Sequence, residues 1–126
     1  MRRLYWPPVD GRVRIYYLAG YAVEAGLKAC VVARVAAEPG VIFESKKFGA
    51  DCWTHDLEKL VALAELRAAL VAELAVNQSF AKNWTLVKDW TEESRYLSWD
   101  ERTARAMLGA INDQQHGVLQ WVRVRW

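Results

Sequence analysis

Glu24 and Lys28 stand four residues apart in a stretch that is otherwise uncharged from Ile15 to Ala33. On a helix that spacing is one turn, and the acidic residue on the amino-terminal side favours an ion pair. Burial of the surrounding apolar residues would force the pair to find further partners, because an uncompensated buried charge is costly. His55, Arg95 and Tyr96 carry the chemistry to provide them. An imidazole moves a proton near neutral pH, a guanidinium grips phosphate or carboxylate oxygens in bidentate fashion, and the adjacent phenol ring can stack on a base. Glu24, Lys28, His55, Arg95 and Tyr96 therefore form the candidate polar cluster, read either as a structural network or as a ligand-facing site.

Each member also has a plainer role. His55 falls in the first turn of an expected helix, where its ring can cap locally, and Arg95 can anchor a turn between two helices. Cys52 and His55 share the two-residue gap of some zinc half-sites, but no second half with suitable spacing exists, so no metal and no cofactor is expected. Arg102, Arg105, Arg123 and Arg125, with Trp121 or Trp126 as stacking rings, could face nucleic acid, although a solvated face is the simpler reading at this net charge.

Composition narrows the classes. A chain of 126 residues with 53% apolar and 25% charged residues is long enough for one domain with its own core. A net charge of only +2, with both signs interspersed, provides no strong steering field towards nucleic acid or a membrane. Two cysteines are too few for a disulfide framework. Met1 to Asp10 lacks the apolar run of a signal peptide and reads as an extended leader, so the cytoplasm is the expected location.

The elements that must position the cluster are helical. Asp10 is a plausible cap for a helix from Arg12 to about Ala37, ended by Pro39-Gly40. Ala19, Ala22, Gly26, Ala29 and Ala33 run along it at spacings of three and four. Leu18, Val23, Leu27, Val31 and Val32 cover much of the rest, which predicts burial on most sides. Residues 40 to 53 read as an irregular crossover. Thr54 can cap a second helical stretch that runs to about Asn77 with a break near Glu65. A helix from Ser79 to about Trp90 follows, and a polar turn then delivers Arg95-Tyr96. Ser98 and Glu101 match a capping box for a long last helix that Gly117 bends. Trp84, Trp90, Trp99 and Trp121 are expected at helix crossings. The result is an all-α fold, an up-and-down bundle of about four to five helices in a single domain over 1–126.

The segment Tyr17-Leu-Ala-Gly-Tyr-Ala-Val-Glu-Ala-Gly-Leu-Lys-Ala-Cys30 resembles the characteristic helix of HEPN-domain proteins, with its Glu and its Lys four residues later. His55-Asp-Leu-Glu-Lys-Leu60, Asn83-Trp84, Trp90, Glu93-Ser-Arg-Tyr96 and Gly117-Val-Leu-Gln-Trp121 resemble later pieces of the same family in order, so the likeness covers about residues 12 to 126. The resemblance implies a bundle of four or five helices, commonly a homodimer. Its usual setting is a two-gene system with a minimal nucleotidyltransferase partner, a toxin and antitoxin pair, or host defence.

Catalytic HEPN ribonucleases share an Arg followed after four to six residues by a His, the Arg stabilising phosphoryl charge and the His moving a proton. Here His55 has no Arg in that window, and the nearest Arg before His116 is Arg105. A non-enzymatic module is therefore expected, one that binds a partner protein, a nucleotide or RNA. The alternatives are a divergent metal-independent ribonuclease pairing Arg95 with His55 or His116, and a purely structural or regulatory homodimer. Relatives also place a helix before the Tyr-Leu-Ala-Gly segment, where this chain has about ten residues.

Overall fold

A computed structural model of the chain describes residues 11–41, 46–97 and 99–126; Val13, Lys46, Arg95 and Tyr96 are described by their backbone alone. Among the described residues there are seven α-helices, one 3-10 helix and no strand, the all-α bundle that the periodicity predicts. Helix α1 spans Gly11–Ala37. Alanine loses no side-chain entropy in a helix, and Pro39, without an N–H, ends the run just after Glu38 donates to the Arg34 carbonyl at 2.8 Å. The predicted leader and the Asp10 cap lie outside the described residues.

Tyr16, Ala19, Val23, Leu27, Cys30 and Val31 form the inner face of α1 and are buried in one continuous core. The crossover contains a short α2 (Lys46–Asp51), followed by α3 (Leu57–Leu63), α4 (Arg67–Val76) and α5 (Gln78–Val87). After a 3-10 strap (Glu92–Tyr96) come α6 (Glu101–Asn112) and α7 (Val118–Arg123). Helix α3, the strap, α6 and α7 all pack on α1. They gather on one side of it, so the expectation of burial on most sides is corrected: Leu18 is 58% and Val32 67% exposed. Residues Arg14–Ala37 are also long and apolar enough to cross a membrane by length and composition, but the inner face is part of the bundle core.

Two glycines let large rings approach α1. A Cβ on Gly20 would lie 2.2 Å from the Trp90 ring, and one on Gly26 would lie 3.0 Å from Trp126 and Val122. The small-residue row is thus divided, with Ala19 and Gly26 turned inward and Ala22, Ala29 and Ala33 exposed. Trp84, Trp90 and Trp121 are buried, and Trp99 stacks on Tyr16 with ring centroids 3.8 Å apart. Burial raises the Tyr16 hydroxyl above its ordinary pKa, with the Asp89 carboxylate adding to the effect.

The break near Glu65 is a left-handed turn: Glu65 has φ 57, its N–H donates to Ala62 at 3.0 Å, and Leu66 N–H donates to Val61 at 2.9 Å. That pair of bonds is a Schellman stop, which favours glycine at the left-handed position. Glu65 is retained there with an ion pair to Arg34 at 2.8 Å. The left-handed conformation costs a non-glycine residue about 1–2 kcal/mol, whereas an ion pair whose acidic side is 59% exposed contributes about 0.2–1 kcal/mol. Glu65→Gly is therefore expected to raise stability by roughly 0.5–1 kcal/mol in urea denaturation.

Local capping differs from expectation at three points. The cap of α3 is Asp56, whose carboxylate accepts from Lys59 N–H at 3.2 Å, while Thr54 accepts from Asp56 N–H at 3.1 Å. The cap of α6 is Asp100, accepting from Thr103 N–H at 2.6 Å, and Ser98 lies outside the described residues. The predicted long last helix is two helices. Asp113 accepts from the N–H groups of Gln115 at 2.9 Å and His116 at 2.8 Å, turning the chain between α6 and α7. A Cβ on Gly117 would sit 2.4 Å from the Asp113 carbonyl, so only glycine closes this bend. These backbone N–H bonds hold the Asp100 and Asp113 carboxyls below their ordinary pKa.

Candidate functional site

The middle of α1 buries one carboxylate. Glu24 is 2% exposed, one turn beyond the Gly20 seat of Trp90, because the core-facing side of the helix continues through this position. Its Oε1 meets His55 Nδ1 at 2.6 Å, and its Oε2 accepts from Lys28 Nζ at 3.5 Å. His55 sits in the loop just before α3, held beside α1 by the packing of α3. Its other nitrogen, Nε2, lies 3.1 Å from Glu92 Oε2 on the 3-10 strap. The ring therefore bridges two carboxylates, which corrects the expectation that it caps its own helix.

The strap is fixed from two sides. Ser94 is buried, its carbonyl accepts from Trp99 Nε1 at 2.9 Å, and the segment packs along α1. Glu24, Lys28 and His55 are brought together. The backbone of Arg95 and Tyr96 lies on the same strap, three and four residues after Glu92, while their side chains lie outside the described residues. Glu92 was missed by sequence reasoning, since nothing in Thr91-Glu-Glu-Ser94 distinguishes it from a solvated turn. The Gly20 and Trp90 contact had one hint, a glycine inside an alanine-rich helix, but that hint does not name the ring.

An imidazole donates from both nitrogens only when it is protonated; a neutral ring donates from one and presents a lone pair with the other. Donation to both carboxylates at once would take the doubly protonated ring, and proton transfer to a substrate would first require one contact to open. Beside the cluster lies a cleft of about 620 Å³, whose lining includes Asp56, Glu58, Asp89, Glu92 and Glu93 as well as His55 and Lys88. Lys88 is shared between Glu58 at 3.8 Å and Asp89 at 3.7 Å. Among the described residues the lining of the cleft is net acidic, which disfavours polyphosphate. Among the described residues no group of three His, Cys, Asp or Glu side chains is arranged to hold a metal ion.

Arg105, Arg125 and His116 are engaged elsewhere, while Arg102 and Arg123 are exposed. Arg105 pairs with Glu101 at 2.9 Å, and Arg125 stacks on Trp121 at 4.0 Å while donating to its carbonyl at 2.7 Å. His116 Nδ1 contacts Asn77 Nδ2 at 3.1 Å, and its carbonyl accepts from Asn83 at 2.9 Å. Burial raises the Cys30 thiol pKa, against a weaker downward pull from Arg125, and the thiol contacts the Val122 carbonyl at 3.7 Å. A thiol held in that form is a core group rather than a nucleophile. Set against protein-family models, curated proteins and solved structures, the chain matches none.

Proposed function

We propose that the chain is a non-catalytic, HEPN-like interaction module of the cytoplasm that receives a cationic segment of a partner protein in the cleft beside His55. The observation that supports this reading best is the lining of that cleft, among the described residues five carboxylates against Lys88 and His55. Complementary charge selects partners and speeds their encounter, and an acid-lined cleft favours lysine or arginine side chains over a nucleotide or RNA. The contacts of His55 with Glu24 and Glu92 contribute rigidity to the cleft wall. From the family resemblance, the first partner to test is a minimal nucleotidyltransferase encoded beside this chain, in a toxin and antitoxin or defence setting.

The test is coexpression of the untagged neighbouring gene products with the tagged full chain. A partner is expected to copurify stably, and Glu58→Lys with Glu93→Lys is expected to weaken its retention at least tenfold at low salt. Retention unchanged by that double charge reversal would overturn the cleft as the contact.

A second reading, a divergent ribonuclease, draws on one specific observation. His116 and Arg125 line a common hollow of about 320 Å³ together with Asn77 and Gln120. Both are held by structural contacts, so the purified chain is expected to leave mixed RNA intact. Cleavage abolished by both His116→Ala and Arg125→Ala would establish the ribonuclease reading instead.

A further inference from the structure

Three elements converge on an apolar groove that the bundle leaves unfilled. Val31, Val32 and Val35 of α1 line it together with Phe48 of α2, Cys52 just after α2 and Leu60 of α3. Val31, Phe48 and Leu60 are buried, whereas Val32 is 67% exposed and Cys52 half-buried, so the lining runs from the core out to the surface. The groove holds about 370 Å³, towards the lower end of small-molecule sites, which span about 300–1,000 Å³. It shares no described lining residue with the acidic cleft beside His55.

Two features keep the groove open. Gly49 lies on its wall, and a Cβ there would meet nothing within 4 Å, so α2 sends no side chain across at this position. Phe48 is held in the wall by the Arg34 guanidinium, 5.3 Å from the ring centroid. Lys28 is the one charged residue of the described lining. Its side chain is 35% exposed, with an apolar stem that suits the wall and an ammonium that reaches water. The contact of that ammonium with Glu24 Oε2, at 3.5 Å, is long beside the about 2.7–2.9 Å of a charge-assisted bond. An ammonium has three donors, and Glu24 meets His55 through its other oxygen at 2.6 Å, so among the described residues Lys28 retains donors for a second anion.

We infer that the groove binds a free alkyl carboxylate, its chain lying along Val31, Phe48 and Leu60 and its carboxylate on the Lys28 ammonium. Apolar walls with one cation among them complement a ligand with one anionic end. The exposure of Lys28 leaves that end partly hydrated, so the ion pair avoids the cost of full desolvation. A single ammonium suits a single negative charge. The fork that matches phosphate belongs to arginine, and no arginine is among the described lining residues. The volume admits a slender chain but not a helix about 10 Å across.

The experiment titrates the full chain with hexanoate, octanoate and decanoate by calorimetry, while labelling of Cys52 by N-ethylmaleimide, read by mass spectrometry, locates the bound chain. Each pair of added methylenes is expected to tighten binding about tenfold, the effect of withdrawing them from water. Saturating decanoate is expected to slow Cys52 labelling about fivefold or more, because thiol reactivity follows access. Decanol is expected to bind about tenfold more weakly than decanoate, and decylammonium not measurably. Lys28→Met keeps an apolar stem and is expected to bind decanol as the wild type does, but decanoate no better than decanol. Gly49→Phe, at an exposed position with open space around it, is expected to keep the wild-type circular dichroism and lose decanoate binding. A wild type without saturable decanoate binding, or binding that leaves Cys52 labelling unchanged, would overturn the proposal. Equal affinity for decanoate, decanol and decylammonium, or a preference for decanoate that survives Lys28→Met, would overturn it as well. Cosedimentation with vesicles of phosphatidylcholine and phosphatidylglycerol, without binding of free decanoate, would assign the groove to a membrane lipid instead.

Discussion

Gly20→Ala is expected to lose about 2–4 kcal/mol of stability although alanine is the better helix former by about 1 kcal/mol. The added methyl would fall 2.2–2.4 Å from three atoms of the Trp90 indole. That ring is 2% exposed and rigid, its Nε1 is buried without a hydrogen-bond partner among the described residues, and it also packs against Tyr17 with centroids 5.9 Å apart. It cannot turn aside as a flexible chain end would, so the turn that carries Trp90, α1 or both must shift. Trp90→Ala alone is expected to lose about 3–5 kcal/mol through the cavity it leaves. Once the ring is gone the alanine at position 20 no longer meets it. The double variant Gly20→Ala with Trp90→Ala is therefore expected to be no less stable than Trp90→Ala, a coupling of at least about 2 kcal/mol. Urea denaturation of the four proteins measures the cycle, and additive losses would show that the steric reading of Gly20 is mistaken.

The second large effect is expected at the buried carboxylate. His55→Ala would leave Glu24 inside the bundle with Lys28 as its one remaining charged partner among the described residues, at 3.5 Å and with its own side chain 35% exposed. Removing one partner of a buried ion pair costs about 3–5 kcal/mol; the His55 ring is 40% exposed, and solvent screening reduces the expected loss to about 2–3 kcal/mol. Glu24→Gln keeps a polar group without a charge to strand and is expected to lose about 1 kcal/mol. Combining the two should recover part of the His55→Ala loss, because the stranded charge is then absent. Salt provides an independent check. The exposed Lys88 contacts weaken by about 0.15 M ionic strength, whereas the Glu24 and His55 contact is expected to change little. A His55→Ala protein within about 0.5 kcal/mol of wild type would remove the cluster from the account of stability.

Function and stability are joined at this point. His55 connects α1, the start of α3 and the 3-10 strap through two carboxylates, and the strap forms one wall of the acidic cleft. Loss of the bridge is therefore expected to loosen the proposed docking cleft as well as the bundle.

Local order was legible in the residues themselves. Alanine content, the four-residue Glu24 to Lys28 spacing and the proline after Glu38 define α1, and its inner face follows from spacings of three and four. The turn near Glu65 was visible as an interruption of a periodic run, because periodicity and turn chemistry act over a few residues, whereas the last helix, read as one rod bent at Gly117, is two. What only the tertiary structure decided is which surfaces meet. Glu92 faces His55 across 37 positions of chain, Trp90 fills the space that Gly20 leaves, and Asp56 and Asp100 take the capping roles predicted for Thr54 and Ser98. Leu18 and Val32 follow the same apolar pattern as Val23 and Leu27, yet one pair is exposed and the other buried. A pattern of side chains states which faces would gain by leaving water; only the packed chain determines which of them find a neighbour, because that depends on how far each loop reaches and which elements arrive first.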